Sequence, residues 1–275
     1  MIFAIATVDE VWQHGRLIER RLSHGIATQE GPTISATDAR DETLVAAAQA
    51  EMQRLRAHVL PDARMRLVAE ATAECVRGTM TVRKHGHSIV TTPEFLAEDL
   101  RLLSPLPAAR GEGQGEGFLW RHGSAAVLLH EAFGHPREHA QPEIEWPDWL
   151  TIDAPLKHRR ATFRDVPLLR MTDLVARQTN APFELPARRI EVLLVDGGAY
   201  EPLTETVTLR IGMATLVDGD DVRALAPFTI EKTRTEIAHS IAGATGDPVR
   251  YPGVICSREG QELVVGSYAP VMVTR

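Results

Sequence analysis

The segment Val127–Glu138, VLLHEAFGHPRE, constrains this chain most, because it sets His130, Glu131 and His135 directly behind a run of aliphatic residues. Two imidazoles and an adjacent carboxylate at the end of an apolar helix are the parts a zinc hydrolase uses. The histidines bind the metal as neutral imidazoles, and the glutamate takes a proton from water. Helical zinc motifs usually place the second His four residues after the first, whereas here the interval is five. On an ideal helix four residues leave two side chains roughly 40° apart, and five leave them roughly 140° apart. Both can serve one ion only if the helix widens or breaks between them. Gly134 falls at that point and Pro136 follows His135, so the sequence supplies the distortion. The plain alternative is a buried helix with two incidental histidines. The segment also contains an inverted spelling, His135 and His139 with Glu138, with Pro136 suited to the first turn of a helix starting at His135. The following AQPEIEWPDW carries Pro142 and Pro147 without apolar periodicity, so little helix remains to carry that pair. His130 and His135 are therefore preferred, and His139 reads as a solvated loop residue.

The chain of 275 residues has room for one large domain or two small ones, and 44% apolar residues is ordinary for a globular protein. A net charge of −7 argues against a nucleic-acid partner, which would need a basic surface. The clusters ERRLSHG and KHRRATFR lack the aromatic interleaving of a single-strand groove and read as solvated faces. MIFAIATVDEVW has no basic segment before it and acidic residues directly after, so it is expected to be a strand and not a signal peptide. No apolar run approaches membrane-spanning length, and the expected location is the cytoplasm, with no membrane partner. Two cysteines do not form a disulfide framework at this size.

Residues Ser35–Leu60 predict a helix capped by Thr37 or Asp38, with Leu44, Ala48, Met52, Leu55 and Val59 at helical spacing and Pro61 as the stop. From Met65 to Cys75 every odd position is apolar, which predicts a half-buried strand with Cys75 on its apolar face, although the alanines leave a helix open. TMTVRK and HSIVTT flank His85-Gly86 as a hairpin, and Thr92-Pro93 opens a short helix through Leu103. Proline and glycine concentrate in PLPAARGEGQGEG and apolar periodicity disappears there. The expected organisation is an amino-terminal α+β unit at 1–104, a linker at 105–117 and a metal-site domain of mainly antiparallel strands at 118–275. In the last, FLWRH reads as a strand, Gly123-Ser124 as turn and cap, and Ala125–Gly134 as the motif helix. Hairpins are expected at Asp196-Gly197-Gly198 and Asp218-Gly219-Asp220, and a helix at Thr229–Ala242 with Thr229 as a possible cap. The close, VICSREGQELVVGSYAPVMV, reads as strand, turn, strand. Strands and helices cluster without regular alternation, so the expected fold class is α+β: largely antiparallel sheets with a metal-bearing helix.

A zinc hydrolase needs a third protein ligand, and Cys256, His239, His158 and many carboxylates are candidates. Glu138 could orient a ligand histidine or be exposed beyond a broken helix. Arg170 suits a substrate carboxylate or a structural ion pair. Trp146 and Trp149 could line a cleft or cover the core.

HEAFGHPRE resembles the HEAxGHxxE signature of the TldD/PmbA metalloproteases, with its five-residue interval. CSREGQELVVGSYAP is similar to that family's C-G-K-x-G-Q-x-x-P-V-G-x-G-Q-P close, and PLLRMTD at Pro167–Asp173 to its P-x-x-R-M-T-N segment. The matches occur in the family's order between about Phe118 and Val273, in a chain that resembles a shortened TldD-type member. Departures are Pro136, Asp173 and Ser257, where the family often has Gly, Asn and Gly. The resemblance implies His130, His135 and Cys256 as ligands of one Zn2+ per chain, and Glu131 as the catalytic acid/base. It implies peptidase activity on small or unfolded peptides, and a homodimer or a heterodimer with a second TldD/PmbA-type subunit. The alternatives are a catalytically idle, metal-bearing scaffold or peptide-presenting subunit, and a hydrolase of non-peptide amides.

Overall fold

A computed structural model describes residues 2–30, 33–37, 40–72, 75–103, 117–161 and 165–275. All of the expected linker except Gly117 therefore lies outside the described residues. Two compact units are present. The first comprises the described parts of Met1–Leu103 and His158–Leu168, with Ile255–Leu263. The second comprises the described part of Ser104–Lys157, with Leu169–Val254 and Val264–Arg275.

The first unit is built on strands β1 (Ile2–Gln13), β2 (Arg16–Glu30), β3 (Thr33–Thr37), β4 (Arg64–Thr72), β5 (Val76–Lys84) and β6 (His87–Thr91). Their order is β6-β5-β4-β1-β2-β3, and every neighbouring pair is antiparallel. The period-two pattern holds in β4, where Met65, Leu67, Ala69 and Ala71 are buried. Cys75, expected on that apolar face, lies beyond the end of β4 and is exposed. Helix α1 (Glu42–Arg56) packs on β4, β1 and β5 through Leu44, Ala48, Met52 and Leu55. Gly78 permits the approach, since a Cβ there would stand 2.9 Å from Leu55 Cδ2. The helix is shorter than expected at its start because Thr37 pairs within β3, and the cap is Asp41, whose carboxylate accepts from the Thr43 and Leu44 N–H groups. At His85-Gly86 both residues have positive φ, 53° and 87°, the conformation a two-residue hairpin loop requires. Beyond β6, the expected helix to Leu103 is an α turn, α2 (Leu96–Asp99), running into a 3-10 turn at Leu100–Leu103.

Inside this unit Glu10 is fully buried on β1 and accepts from Arg56 Nε at 3.0 Å and Trp12 Nε1 at 3.0 Å, with Arg20 Nε 3.3 Å away. Burial alone would raise its carboxyl. The hydrogen bonds from Arg56 and Trp12 and the charges of Arg56 and Arg20 outweigh that and hold it below the usual carboxylate range.

The second unit contains β7 (Phe118–Trp120), β8 (Leu150–Asp153) and β11 (Asp173–Gln178), with the Leu156–Lys157 part of β9 (Leu156–Arg159) and the Leu169–Met171 part of β10 (Leu168–Met171). The long strands β12 (Arg188–Glu201) and β13 (Thr206–Asp218) pair antiparallel. β14 (Asp221–Leu225) pairs with one end of β13 and β15 (Phe228–Thr233) with the other. β16 (Ile241–Arg258) and β17 (Gln261–Thr274) close the chain. β7 lies between the Ile190–Val192 stretch of β12, in parallel, and Met272–Thr274 of β17, antiparallel. The buried Trp120 indole fixes that junction by donating to Thr274 Oγ1 at 3.0 Å.

The α+β expectation is corrected here: with 56% of the structure in strand and 18% in helix, the fold is mainly β. The excess of strand comes from segments whose pairing overrides local signals. Asp196-Gly197-Gly198 is not a hairpin but lies within β12, where the register slips between Val192 and Gly197, and the turn comes at Pro202–Glu205. The Asp218–Asp221 turn is where expected. Thr229–Ala242 is helical only over α5 (Arg234–Ser240), because β-branched Thr229 and Ile230 pair with β13. The cap is Thr233, in a capping box with Glu236. Among the described residues no helix is long and apolar enough to cross a membrane.

Candidate metal centre

The motif helix has three parts: α3 (Ala125–Leu129), a π turn at His130–Gly134, and α4 (His135–Glu138). Every residue of α3 is buried, as five consecutive apolar side chains demand. Ser124 does not cap it. Its hydroxyl donates instead to the Val192 carbonyl of β12 at 3.1 Å, tying the start of the helix to the sheet. At the π turn the His135 N–H donates to the His130 carbonyl, five residues back. The helix therefore widens and does not break, and it brings the fifth residue back over the first. The two imidazole rings lie with centroids 4.8 Å apart at 90° to each other. Pro136 is accommodated in the first turn of α4 and the helix runs on to Glu138. The Met171 side chain fills the space beside Gly134, where a Cβ would stand 2.5 Å from its Cε and 2.6 Å from its Sδ.

The ligand atoms of His130, His135 and Cys256 all lie within 4.8 Å of one another, and among the described residues this is the one group of its kind. Cys256 comes from β16 and is 3% exposed. His239 and His158, the other candidates, are outside the group, and His139 is exposed with its ring 6.3 Å from that of Tyr200. His130 is wholly buried and neither ring nitrogen has a hydrogen-bond partner. Burial first, then the charges of His135 and Arg170, hold its pKa well below the ordinary value, so the ring is neutral. A buried neutral imidazole with no partner, a second imidazole and a thiol are the donors a zinc-class ion takes, and they fit it better than oxygen-seeking cations.

Two carboxylates flank His135: Glu131 Oε2 lies 3.5 Å from Nε2, and Glu138 Oε2 lies 3.2 Å from Nδ1. Glu131 is 3% exposed, and its Oε2 has no hydrogen-bond partner. Burial pushes it up to about 7, opposed by His135 and helped by the charge of Glu138. Glu138 is also buried, but the His135 ring, the Met171 N–H, and the charges of His135 and Arg170 outweigh that burial and hold it below the usual range. Phe133, between the histidines, stacks edge-on against Trp146 at 5.6 Å and lies under the Arg137 guanidinium at 5.4 Å. Trp146 thus covers the motif helix.

Sequence reasoning missed two contributors. Gly198 of β12 lies against Glu131, where a Cβ would be 2.5 Å from Cγ and 2.6 Å from Oε1. Its glycine pair looked like a turn, and an apolar run leads into it on the amino-terminal side only. Met171 supports the π turn, and its signal was the PLLRMTD match. Arg170, open between a substrate and a structural role, is fully buried with Nε 3.7 Å from Glu138 Oε1, which is a structural position.

No family model and no curated protein matches this sequence. Solved structures do resemble it. TldE from Thermococcus kodakarensis aligns over 100% of this chain and 96% of that one, at 9% identity and a TM-score of 0.52. A candidate modulator of DNA gyrase from Thermotoga maritima aligns over 99% of this chain and 95% of that one, at 9% identity and a TM-score of 0.47. Another from Bacteroides thetaiotaomicron aligns over 99% and 93%, at 9% identity and 0.45. At such identity the likeness to TldE is one of fold, and it is the fold that the resemblance to TldD/PmbA proteins implied.

Proposed function

We propose that this chain is a zinc-dependent metallopeptidase of TldD type that hydrolyses small or unfolded peptides. The observation that carries the reading is Glu131, a carboxylate 3% exposed that sits beside a zinc-type donor set without belonging to it. A purely structural zinc site has no use for a base in that position. His130, His135 and Cys256 would hold the ion, one per chain. When bound, such an ion supplies a Lewis-acid centre that polarises an amide carbonyl and acidifies water. Glu131 handles the proton. Its carboxylate accepts one from the attacking water as the water oxygen bonds to the carbonyl carbon, and returns it to the amide nitrogen as the C–N bond breaks. A carboxyl raised to about 7 can hold either protonation state near neutral pH, as a group that both takes and gives a proton must. Gly198 lets the β12 backbone lie against this side chain and limits the rotamers open to it.

Digestion of a peptide library with and without chelator tests the reading. Cleavage that disappears with chelator and returns with added zinc is expected. A protein that binds zinc and peptides yet never cleaves would be a scaffold instead. The resemblance also implies a dimer. Light scattering at micromolar concentration should find one, and a monomer without a copurifying subunit would refute it.

A further inference from the structure

We infer that Glu138 is the positioning residue of the centre, fixing the tautomer and orientation of His135 while clamping the motif helix to β10. The inference rests on the reading of His135 as a metal ligand. Glu138 is the last residue of α4 and its side chain is wholly buried. Its oxygens have separate tasks. Oε1 accepts the Met171 N–H at 2.6 Å and lies 3.7 Å from Arg170 Nε, while Oε2 lies 3.2 Å from His135 Nδ1. The fully buried Arg170 guanidinium supplies the opposite charge. Met171, whose N–H is held by this carboxylate, is the residue whose side chain fills the space at Gly134. One carboxylate thus joins the ring, the strand and the turn that widens the helix.

An ionised carboxylate only accepts hydrogen bonds, so the hydrogen of a neutral His135 ring belongs on Nδ1 and the lone pair on Nε2. The contact at Nε2 is the longer one, 3.5 Å to Glu131, at the limit of hydrogen-bond reach. The closer contact at Nδ1 therefore decides the tautomer and puts the lone pair of the ring on Nε2, the nitrogen that ligates.

Glutamine at 138 is nearly isosteric but reverses this logic. The Met171 N–H needs an acceptor, so the amide oxygen must take it and the NH2 group then faces His135 Nδ1. Nδ1 has to become the acceptor, the hydrogen moves to Nε2, and the ligating lone pair is lost. Side chains that orient a metal-binding histidine typically contribute about 10–100-fold in metal affinity.

The test combines nitrogen-15 NMR of histidine-labelled protein with zinc titration against a competing chelator. In zinc-stripped wild type, at a pH where the ring is neutral, His135 is expected as the Nδ1–H tautomer. Glu138→Gln should give the Nε2–H tautomer and bind zinc about 10–100-fold more weakly. A merely structural Glu138 would lower the melting temperature and leave the tautomer unchanged. Wild type in the Nε2–H form would overturn the inference even if Glu138→Gln did not fold. So would a Glu138→Gln protein with wild-type tautomer and zinc affinity, while loss of zinc in His130→Ala and Cys256→Ala left the centre itself intact. Retention of full zinc affinity by both of those variants would instead overturn the centre, and with it the positioning role.

Discussion

Gly198→Ala is the substitution whose consequence follows most directly from the geometry. A Cβ at that position would stand 2.5 Å from Glu131 Cγ, 2.6 Å from Oε1 and 2.7 Å from Cδ. Non-bonded carbons settle at about 3.5–4.0 Å, so the carboxylate has to retreat by roughly 1 Å. It has little space to do so, being 3% exposed with His135 Nε2 at 3.5 Å. Gly198 does not have a positive φ, so alanine brings no backbone strain and the clash acts alone. Misplacing a reacting group by about 1 Å costs on the order of 10²-fold, and overpacking costs about 1–3 kcal/mol of stability. Peptide turnover by Gly198→Ala should therefore fall about a hundredfold while bound zinc stays at the wild-type level, because Glu131 is not a ligand. Turnover equal to the wild type in a fully metallated variant would refute the assignment of Glu131 and its contact with β12.

Elemental analysis of protein purified without chelator should find one zinc per chain, and His130→Ala and Cys256→Ala should each lose it; unchanged content in both would refute the ligand set. In the first unit, Glu10→Gln leaves Arg56 and Arg20 without their buried anion. Breaking a buried pair costs about 3–5 kcal/mol, but both guanidinium groups are partly solvated, so about 1–3 kcal/mol is expected here. Because the folded pKa of Glu10 lies below the unfolded value, its contribution is complete above the unfolded pKa and is lost as pH falls through the folded one. Urea midpoints of wild type and Glu10→Gln should accordingly differ at pH 7 and converge in acid, and a gap independent of pH would refute this coupling.

Much of the local pattern was legible because it is local. The five-residue interval with Gly134 demanded a distorted helix, and the π turn is that distortion. The alternation from Met65 to Ala71 marked β4, and the single glycines in His85-Gly86 and Asp218–Asp221 marked true turns. Class was misread because strand pairing is non-local. Nothing near Thr229 announces that β13 will pair with it, and Asp196-Gly197-Gly198 has turn residues in a strand whose register slips between Val192 and Gly197, just before Gly198 meets Glu131. The same limit hid half of the centre's support. The interval places Glu138 three residues after His135, but that its other oxygen reaches the backbone of Met171 depends on packing between elements far apart in sequence.

The central claim is that Glu131 moves the proton without holding the metal, and one comparison tests both halves. Glu131→Gln and wild type are assayed side by side for zinc content and for hydrolysis of the peptides the wild type cleaves. Equal zinc and a loss of about 10²–10⁴-fold in hydrolysis are expected, since an amide keeps the shape but cannot accept the proton. Wild-type turnover in Glu131→Gln, or loss of the zinc along with the activity, would contradict the account.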